Sequence, residues 1–203
     1  RLDSGKNISM YAISENELNL YLYKKSMNLY DISKPRGAGD FMITVKETTA
    51  NDLAHVKQLW ADGDVMKFVG FPDGLHETDE RMEKWYGWIL SSRPTTNHFS
   101  IYDNDIYCGE TFFDIDKKHD NSASLDIKLF KFARGKGIAT TALSYAIEEA
   151  FKNGAKKVWV DPNPDNLKAI ALYERLGFER KLMPEYLMED EGITSIYMEL
   201  TQK

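Results

Sequence analysis

The chain holds a single cysteine, Cys108, among its 203 residues, so no disulfide can form within it. Structural disulfides belong to oxidising compartments, and their exclusion here favours a reducing, cytoplasmic location. No apolar run approaches the roughly 18 residues that a membrane-spanning helix needs. The first residues, RLDSGKNISMY, also lack the apolar segment of a secretory signal. We therefore expect a cytoplasmic protein that does not associate with a membrane.

Positively charged residues are also fewer than negatively charged ones. Lysine and arginine total 26 against 32 aspartate and glutamate residues, which gives a net charge of −6. A general nucleic-acid-binding protein would carry a basic surface, so that class is disfavoured. The negative balance instead suits a cationic small molecule or a protein amine as partner. No metal site is expected, because no CxxC or HxxxH spacing surrounds Cys108.

Two regions of the chain differ in pattern. Residues 42–203 alternate strand-like and helix-like stretches throughout. Residues 1–41 contain a short strand and a helix capped by Ser14, and they end in the linker-like SKPRGAGD. We predict an N-terminal extension over 1–41 and one main domain over 42–203. The pattern leaves the quaternary state open, a homodimer included.

The last third of the chain predicts a strand, a helix and a hairpin. KKVWVDP is typical of a short strand, and a helix follows it with Asn163 as its cap, Pro164 as its first residue and Gly177 at its end. FERKLMPEYLM and GITSIYMEL then form the predicted hairpin around EDEG.

A glycine-rich turn, FARGKGIATTAL at 132–143, stands between a predicted strand and a predicted helix. A dinucleotide-binding fingerprint would need a third glycine where Thr140 stands. A Walker loop would need GxxxxGK[ST], which is absent. The remaining pattern is RxxGxA, formed by Arg134, Gly137 and Ala139.

This turn has the chemistry of an anion site. Unpaired N–H groups point outward at a helix start, and the helix dipole adds about half a positive charge there. Arg134 and Lys136 add full charges, and Gly135 and Gly137 let a ligand approach the main chain. A diphosphate suits such a site.

A second motif follows about thirty residues later as VWVDPNPDNLKAIALYERLGFER. Asn166 and Tyr173 stand seven residues apart, so they share one helix face. In ARGKGIATTAL and NLKAIALYERLGF the chain resembles the GNAT N-acetyltransferase superfamily, strongly over 122–180 and in element order over 42–203. Its VDPNPDNLKAIALYERLGFER looks particularly like the version in the aminoglycoside 6′-N-acetyltransferases, and its earlier DVMKFVG resembles the ribosomal-protein N-acetyltransferases.

The resemblance implies an α+β fold of three layers, the acyl-CoA N-acyltransferase fold. A mixed, mostly antiparallel central sheet is flanked by helices, and two neighbouring parallel strands splay apart to admit acetyl-CoA, the co-substrate. Leu129 and Phe130 would offer backbone contacts to its pantetheine arm, and Asn166 would contact the cofactor or order the site. The diphosphate would lie against Arg134, Gly135, Lys136, Gly137, Ile138, Ala139 and Thr140.

The resemblance also implies the catalytic roles. Tyr173 would lie near the sulfur and protonate the departing thiolate, while a backbone N–H near Leu129 would stabilise the developing oxyanion. We place Asp161 and Asp126 in the site as residues that meet or deprotonate the acceptor amine. The full set of candidates for the base is Asp126, Glu110, Asp161 and His119, with a water molecule as a further alternative.

These expectations combine into an acetyl-CoA-dependent N-acetyltransferase, an acyltransferase that moves groups other than aminoacyl groups. The acetyl group would pass directly to a primary amine, because no credible nucleophilic cysteine is present. The acceptor would be a small cationic molecule of the aminoglycoside kind or a protein N-terminus. The alternative is a catalytically silent module that binds or senses acyl-CoA.

Overall fold

The computed structural model describes residues 42–188 and 195–202. Its helices are α1 (Leu53–Trp60), α2 (Gly63–Met66), α3 (Asp79–Ser92), α4 (Ile138–Lys152) and α5 (Leu167–Arg175). Short 3-10 turns lie at Ala50–Asp52, Lys67–Val69, Lys131–Ala133 and Glu185–Leu187. The strand and helix predicted within 1–41, and the predicted EDEG turn at 189–192, lie outside the described residues.

The strands are β1 (Ile43–Glu47), β2 (Thr96–Asp103), β3 (Ile106–Asp116), β4 (Ser122–Leu129), β5 (Lys157–Val160), β6 (Glu179–Arg180) and β7 (Met198–Thr201). In the described part of the chain they form one seven-stranded sheet in the order β1-β2-β3-β4-β5-β7-β6. Neighbouring strands are antiparallel, except that β4 and β5 are parallel. The predicted α+β fold, with a mixed and mostly antiparallel sheet flanked by helices, is confirmed.

One face of the sheet is covered by α4. Alanines recur every fourth residue along this helix at 142, 146 and 150, and all three are fully buried. Because their side chains are small, the helix can lie close to the sheet, where Leu143 packs in the same cluster as Phe99 and Phe113. Burying a side chain of leucine size stabilises the fold by about 1.5–3 kcal/mol.

The opposite face is covered by α1 and α3. Val56 and Leu59 of α1 and Met82 of α3 are buried in one cluster with Tyr107 of β3. The Thr78 side chain caps α3 by accepting a hydrogen bond from the backbone of the first turn. Both faces of the sheet are therefore covered, as the three-layer prediction requires.

Helix α5 begins later than the sequence predicts. Asn163 does not cap the helix; its side-chain oxygen instead accepts the Asp165 N–H at 2.9 Å in a local turn. Asn166 is the cap, since its Oδ1 accepts the Ala169 N–H at 3.2 Å, and the helix starts at Leu167. Asparagine is a favourable residue both in a turn and at a helix N-cap, so either Asn163 or Asn166 could cap the helix. In the structure Asn163 forms the turn and Asn166 forms the cap.

The parallel strands β4 and β5 pair only at their beginnings. The register joins Ser122 to Lys157, Ala123 to Val158 and Ser124 to Trp159. Strand β4 then continues through Leu125–Leu129 with no further β5 partner among the described residues. We call this segment the open edge of β4, and it is the strand divergence that the resemblance implies.

Across residues 42–188 and 195–202, no helix combines the length and the apolar character needed to cross a membrane.

Candidate active site

The glycine-rich turn follows the end of β4 and leads directly into α4. Gly135 and Gly137 adopt φ angles of 79° and 80°, in the left-handed region that favours glycine. A Cβ atom built on either glycine would have no heavy atom within 4 Å, so both positions face open space. Residues 134–137 are all exposed. The backbone of this turn is therefore accessible to a ligand.

Helix α4 starts without a side-chain cap. Gly137 occupies the N-cap position, and no side chain accepts a hydrogen bond from the first turn. The first N–H groups of a helix have no intrahelical acceptor, and the dipole of this 15-residue helix adds positive potential around them. The buried Ile138 anchors the first turn against the core. An extended anion such as a diphosphate fits this arrangement of donors and glycines.

The guanidinium of Arg134 is committed to other groups. Its Nη1 lies 3.0 Å from Asp64 Oδ2, its Nη2 donates to the Asp64 carbonyl at 3.3 Å, and its Nε donates to the Leu129 carbonyl at 3.0 Å. The pKa of Asp64 is lowered, first by a hydrogen bond from Lys67 and further by the charge of Arg134. Arg134 thus ties the end of β4 to helix α2.

The open edge of β4 presents one main-chain donor at its end. The Phe130 N–H points to β3, where it donates to the Cys108 carbonyl at 3.0 Å. Backbone groups alternate in direction along a strand, so the Leu129 N–H points to the opposite edge, where β5 has diverged. This is the group near Leu129 that the sequence analysis predicts as the oxyanion donor.

Tyr173 lies near both carboxylates that the sequence analysis places with it. The residue is buried on α5, with 5% of its surface exposed, and its ring packs edge-on against Phe178 at 5.6 Å. Burial raises the pKa of its phenol well above the ordinary value, and the charges of Asp126 and Asp161 raise it further. The phenol therefore keeps its proton and can act as a donor.

The two carboxylates differ in their surroundings. Asp161 follows the last residue of β5 and is exposed. Asp126 is half-buried on β4, where its Oδ1 accepts the Ile127 N–H at 2.7 Å and its Oδ2 accepts a hydrogen bond from Lys128. Asp126 is thus held in place at both oxygens, while solvent reaches Asp161.

A buried charged cluster adjoins Asp126 on the face that α1 and α3 cover. Glu110 pairs directly across the strands with Lys128, and the distance from Lys128 Nζ to Glu110 Oε1 is 3.4 Å. Trp60 of α1 donates to that same oxygen at 2.7 Å. His98 Nε2 lies 3.2 Å from Glu110 Oε2, and its Nδ1 lies 2.7 Å from the hydroxyl of Thr48.

The charges of this cluster stabilise one another. Burial would raise the pKa of Glu110, but His98 and Lys128, together with the hydrogen bond from Trp60, lower it to about 2. Burial would lower the pKa of Lys128, but the carboxylates of Asp126 and Glu110 raise it above its usual range. Glu110 therefore stays ionised, and its low pKa and its burial against His98, Lys128 and Trp60 make it poorly suited to serve as a base.

The remaining predicted residues have other positions. Asn166 caps α5, so it fixes the start of the helix that carries Tyr173. His119 lies between β3 and β4, at the opposite end of β4 from the turn, where its ring stacks on Tyr186 at 3.8 Å. It is therefore remote from the other candidates for the base. Among the described residues, no group of three or more His, Cys, Asp or Glu side chains could hold a metal ion.

The sequence analysis missed Lys128 and His98. A signal for Lys128 was present, because SASLDIKL alternates small or polar residues with apolar ones and so places Asp126 and Lys128 on one face. His98 stands alone in its strand, and only the pairing of β2 with β3 brings it to Glu110.

Comparison with known proteins places this geometry in a family. The model of the acetyltransferase (GNAT) domain matches residues 43–179, more than half of the chain. An uncharacterized N-acetyltransferase of Methanocaldococcus jannaschii is 27% identical over 143 residues, which cover 68% of this chain and 61% of that protein. The chain belongs to the GNAT acetyltransferase family, as the sequence motifs predict.

Solved structures share the fold. The spermidine N-acetyltransferase of Vibrio cholerae, in complex with CoA and spermine, has a TM-score of 0.66 and 22% identity over 79% of this chain and 95% of that one. An aminoglycoside acetyltransferase in complex with coenzyme A has a TM-score of 0.62 and 20% identity, over 79% of this chain and 95% of that one.

Proposed function

We propose that this protein is an acetyl-CoA-dependent N-acetyltransferase that acts on a primary amine of a small cationic molecule. One observation carries the proposal: the open edge of β4 leads toward the uncapped start of α4 and carries Asp126, whose charge, with that of Asp161, acts on the buried Tyr173. Membership of the GNAT family and the CoA-bound structures of similar fold support the same function.

The chain's residues fit the co-substrate in two places. The N–H groups of residues 135–140 would hold the diphosphate, and the glycines at 135 and 137 would let it approach the main chain. The Leu129 N–H would donate to the carbonyl oxygen on which negative charge develops. Acetyl-CoA, when bound, supplies an activated acetyl thioester to this site.

Tyr173 would protonate the departing thiolate. The raised pKa keeps the Tyr173 phenol protonated, so it can donate to the sulfur as negative charge develops there. Because an ordinary thiol has a lower pKa, about 8.5, the proton that the sulfur finally keeps is balanced by the one that the acceptor amine releases, and Tyr173 ends the reaction protonated. General acid catalysis of this kind contributes about 10²–10⁴-fold to the rate.

The carboxylates would attract and deprotonate the acceptor. Asp161 is exposed at the end of β5, so an incoming ammonium group can reach it and lose a proton there, directly or through water. Asp126 is held at both oxygens and contributes a fixed negative charge beside Tyr173. Two carboxylates at the site and a net charge of −6 favour a cationic acceptor.

Thiol release from acetyl-CoA tests this function against a panel of amines: a polyamine, an aminoglycoside and a peptide with a free N-terminus. We expect turnover with the polyamine or the aminoglycoside and a product heavier by one acetyl group in mass spectrometry. Turnover with the peptide alone would show that the acceptor is a protein N-terminus and would contradict a small cationic acceptor. Binding of acetyl-CoA without turnover on any amine would contradict catalysis and support a silent acyl-CoA-binding module.

A further inference from the structure

Lys128 is a nearly buried lysine that the proposed reaction does not use directly. Its side chain is 13% exposed and lies between Asp126, which is 29% exposed, and Glu110, which is 4% exposed. Moving an ammonium group out of water costs several kcal/mol, which only a close set of counter-charges offsets. A surface lysine would avoid this cost, so the position of Lys128 calls for an explanation.

The contacts of Lys128 form a chain from α1 to Asp126, whose charge in turn acts on Tyr173. Trp60 donates to Glu110 at 2.7 Å, and Glu110 lies 3.4 Å from the Lys128 ammonium. Lys128 in turn donates to Asp126, whose charge acts on the phenol of Tyr173. The chain thus joins α1 on one face of the sheet to the open edge of β4.

Each contact in this chain restricts the next. Glu110 cannot turn away, because Trp60 holds one of its oxygens and His98 lies 3.2 Å from the other. The Lys128 ammonium therefore lies between the carboxylate of Glu110 on β3 and the carboxylate of Asp126. Asp126 is then held at one oxygen by the Ile127 N–H and at the other by Lys128, so both contacts restrict its carboxylate.

We propose that Lys128 is a positioning residue for acetyl transfer: held by Glu110, it fixes the Asp126 carboxylate at the open edge of β4 beside Tyr173. The inference rests on the proposed function and adds a residue to it. Lys128 acts only through Asp126, and the turn at 134–137 is separate from it, so its loss should slow turnover and leave cofactor affinity in place.

A double-mutant cycle tests this role. Thiol release is measured with the best amine for wild type, Lys128→Met, Asp126→Asn and the double variant, with Lys128→Arg added. We expect Lys128→Met to lower kcat about 10-fold to 100-fold, as for a displaced catalytic group, and Lys128→Arg to restore part of the loss. In the Asp126→Asn background, Lys128→Met should have no further effect on kcat.

Two further measurements make the result decisive. Lys156→Met is the matched control. Lys156 also forms an ion pair with an aspartate, Asp120, but both side chains are exposed. The kcat of this variant should equal that of the wild type. Affinity for coenzyme A should change less than about threefold in Lys128→Met, since no contact of the anion-binding turn is lost. If Lys128→Met does not fold, Glu110→Gln replaces it and should show the same cycle with Asp126→Asn.

The outcomes separate the two proposals. Independent effects of Lys128→Met and Asp126→Asn on kcat, or an unchanged kcat in Lys128→Met, would overturn the positioning role while the N-acetyltransferase stands. A wild-type protein that binds coenzyme A and releases no thiol with any amine would overturn both. A cycle with full coupling and preserved cofactor affinity supports Lys128 as the residue that positions Asp126.

Discussion

At the scale of single residues, Tyr173 owes its proposed role to its surroundings. An ordinary tyrosine on an amphipathic helix would look the same in the sequence. Here burial and two carboxylates keep its proton in place, and one of them, Asp126, belongs to the open edge of β4. The motif NLKAIALYERLGF correctly predicts that Tyr173 lies on a helix, because helical spacing is a local property of the chain.

Replacing Tyr173 by phenylalanine removes only the phenol oxygen and keeps the packing against Phe178. We expect kcat to fall at least about tenfold, because the thiolate loses its proton donor, while the Kd for coenzyme A stays the same. Steady-state kinetics and calorimetry measure the two quantities. Tyr145→Phe is the control: this tyrosine of α4 packs against Phe99 and should tolerate the change. An unchanged kcat in Tyr173→Phe would remove the residue from catalysis.

Residues that depend on distant partners were harder to predict. The place of Arg134 in RxxGxA predicts that it lies against the diphosphate, but it does not predict the ion pair of its guanidinium with Asp64, a residue 70 positions earlier. The contact between His98 and Glu110 on the next strand is likewise not visible in the sequence around His98. Such contacts follow from strand order and register, which single-sequence patterns do not encode.

At the scale of elements, the turn into α4 is defined by two glycines with positive φ. Alternation and glycine placement predicted this turn correctly, because left-handed backbone is a local requirement. The predicted start of α5 was wrong by three residues. Asn163 and Asn166 are both suitable N-caps, and because Asn163 forms a turn, the helix is capped by Asn166.

A matched pair of glycine substitutions separates backbone strain from ligand binding. Gly137→Ala and Gly154→Ala both place a side chain at positive φ, at opposite ends of α4, and neither Cβ would meet another atom. Each should destabilise the fold by about 1–2 kcal/mol. Gly137→Ala should also weaken coenzyme A binding at least about fivefold, or about 1 kcal/mol.

Urea unfolding and calorimetry check the two parts of this prediction. Gly154→Ala should keep the wild-type affinity for coenzyme A, because it lies at the far end of the helix. Equal affinity in both variants would argue against a diphosphate at the start of α4.

At the scale of the whole molecule, the buried cluster around Glu110 links acid stability to the fold. The pKa of Glu110 is about 2 in the folded state, below its ordinary value of 4.5. A lowered pKa stabilises the folded state above the ordinary value, and this contribution disappears as the pH falls toward 2. This lowering of the Glu110 pKa corresponds to a stabilisation of the folded state on the order of 3 kcal/mol.

Glu110→Gln should therefore lower the free energy of unfolding at neutral pH and lose this deficit in acid. We expect the difference from wild type to shrink as the pH falls from 4.5 to about 2, as measured by urea unfolding at a series of pH values. Glu83→Gln, at an exposed position on α3, should differ little from wild type throughout. A difference that stays constant across this pH range would contradict a paired, ionised Glu110.

The account as a whole depends on a diphosphate bound by the main chain at the start of α4. Titration calorimetry with coenzyme A and with pantetheine, which lacks the diphosphate together with the adenosine 3′-phosphate, measures what that part of the molecule contributes to binding. Two lost charge-assisted hydrogen bonds would cost about 3 kcal/mol or more, so pantetheine should bind at least about 100-fold more weakly than coenzyme A. No heat with coenzyme A, or equal affinity for the two compounds, would contradict it.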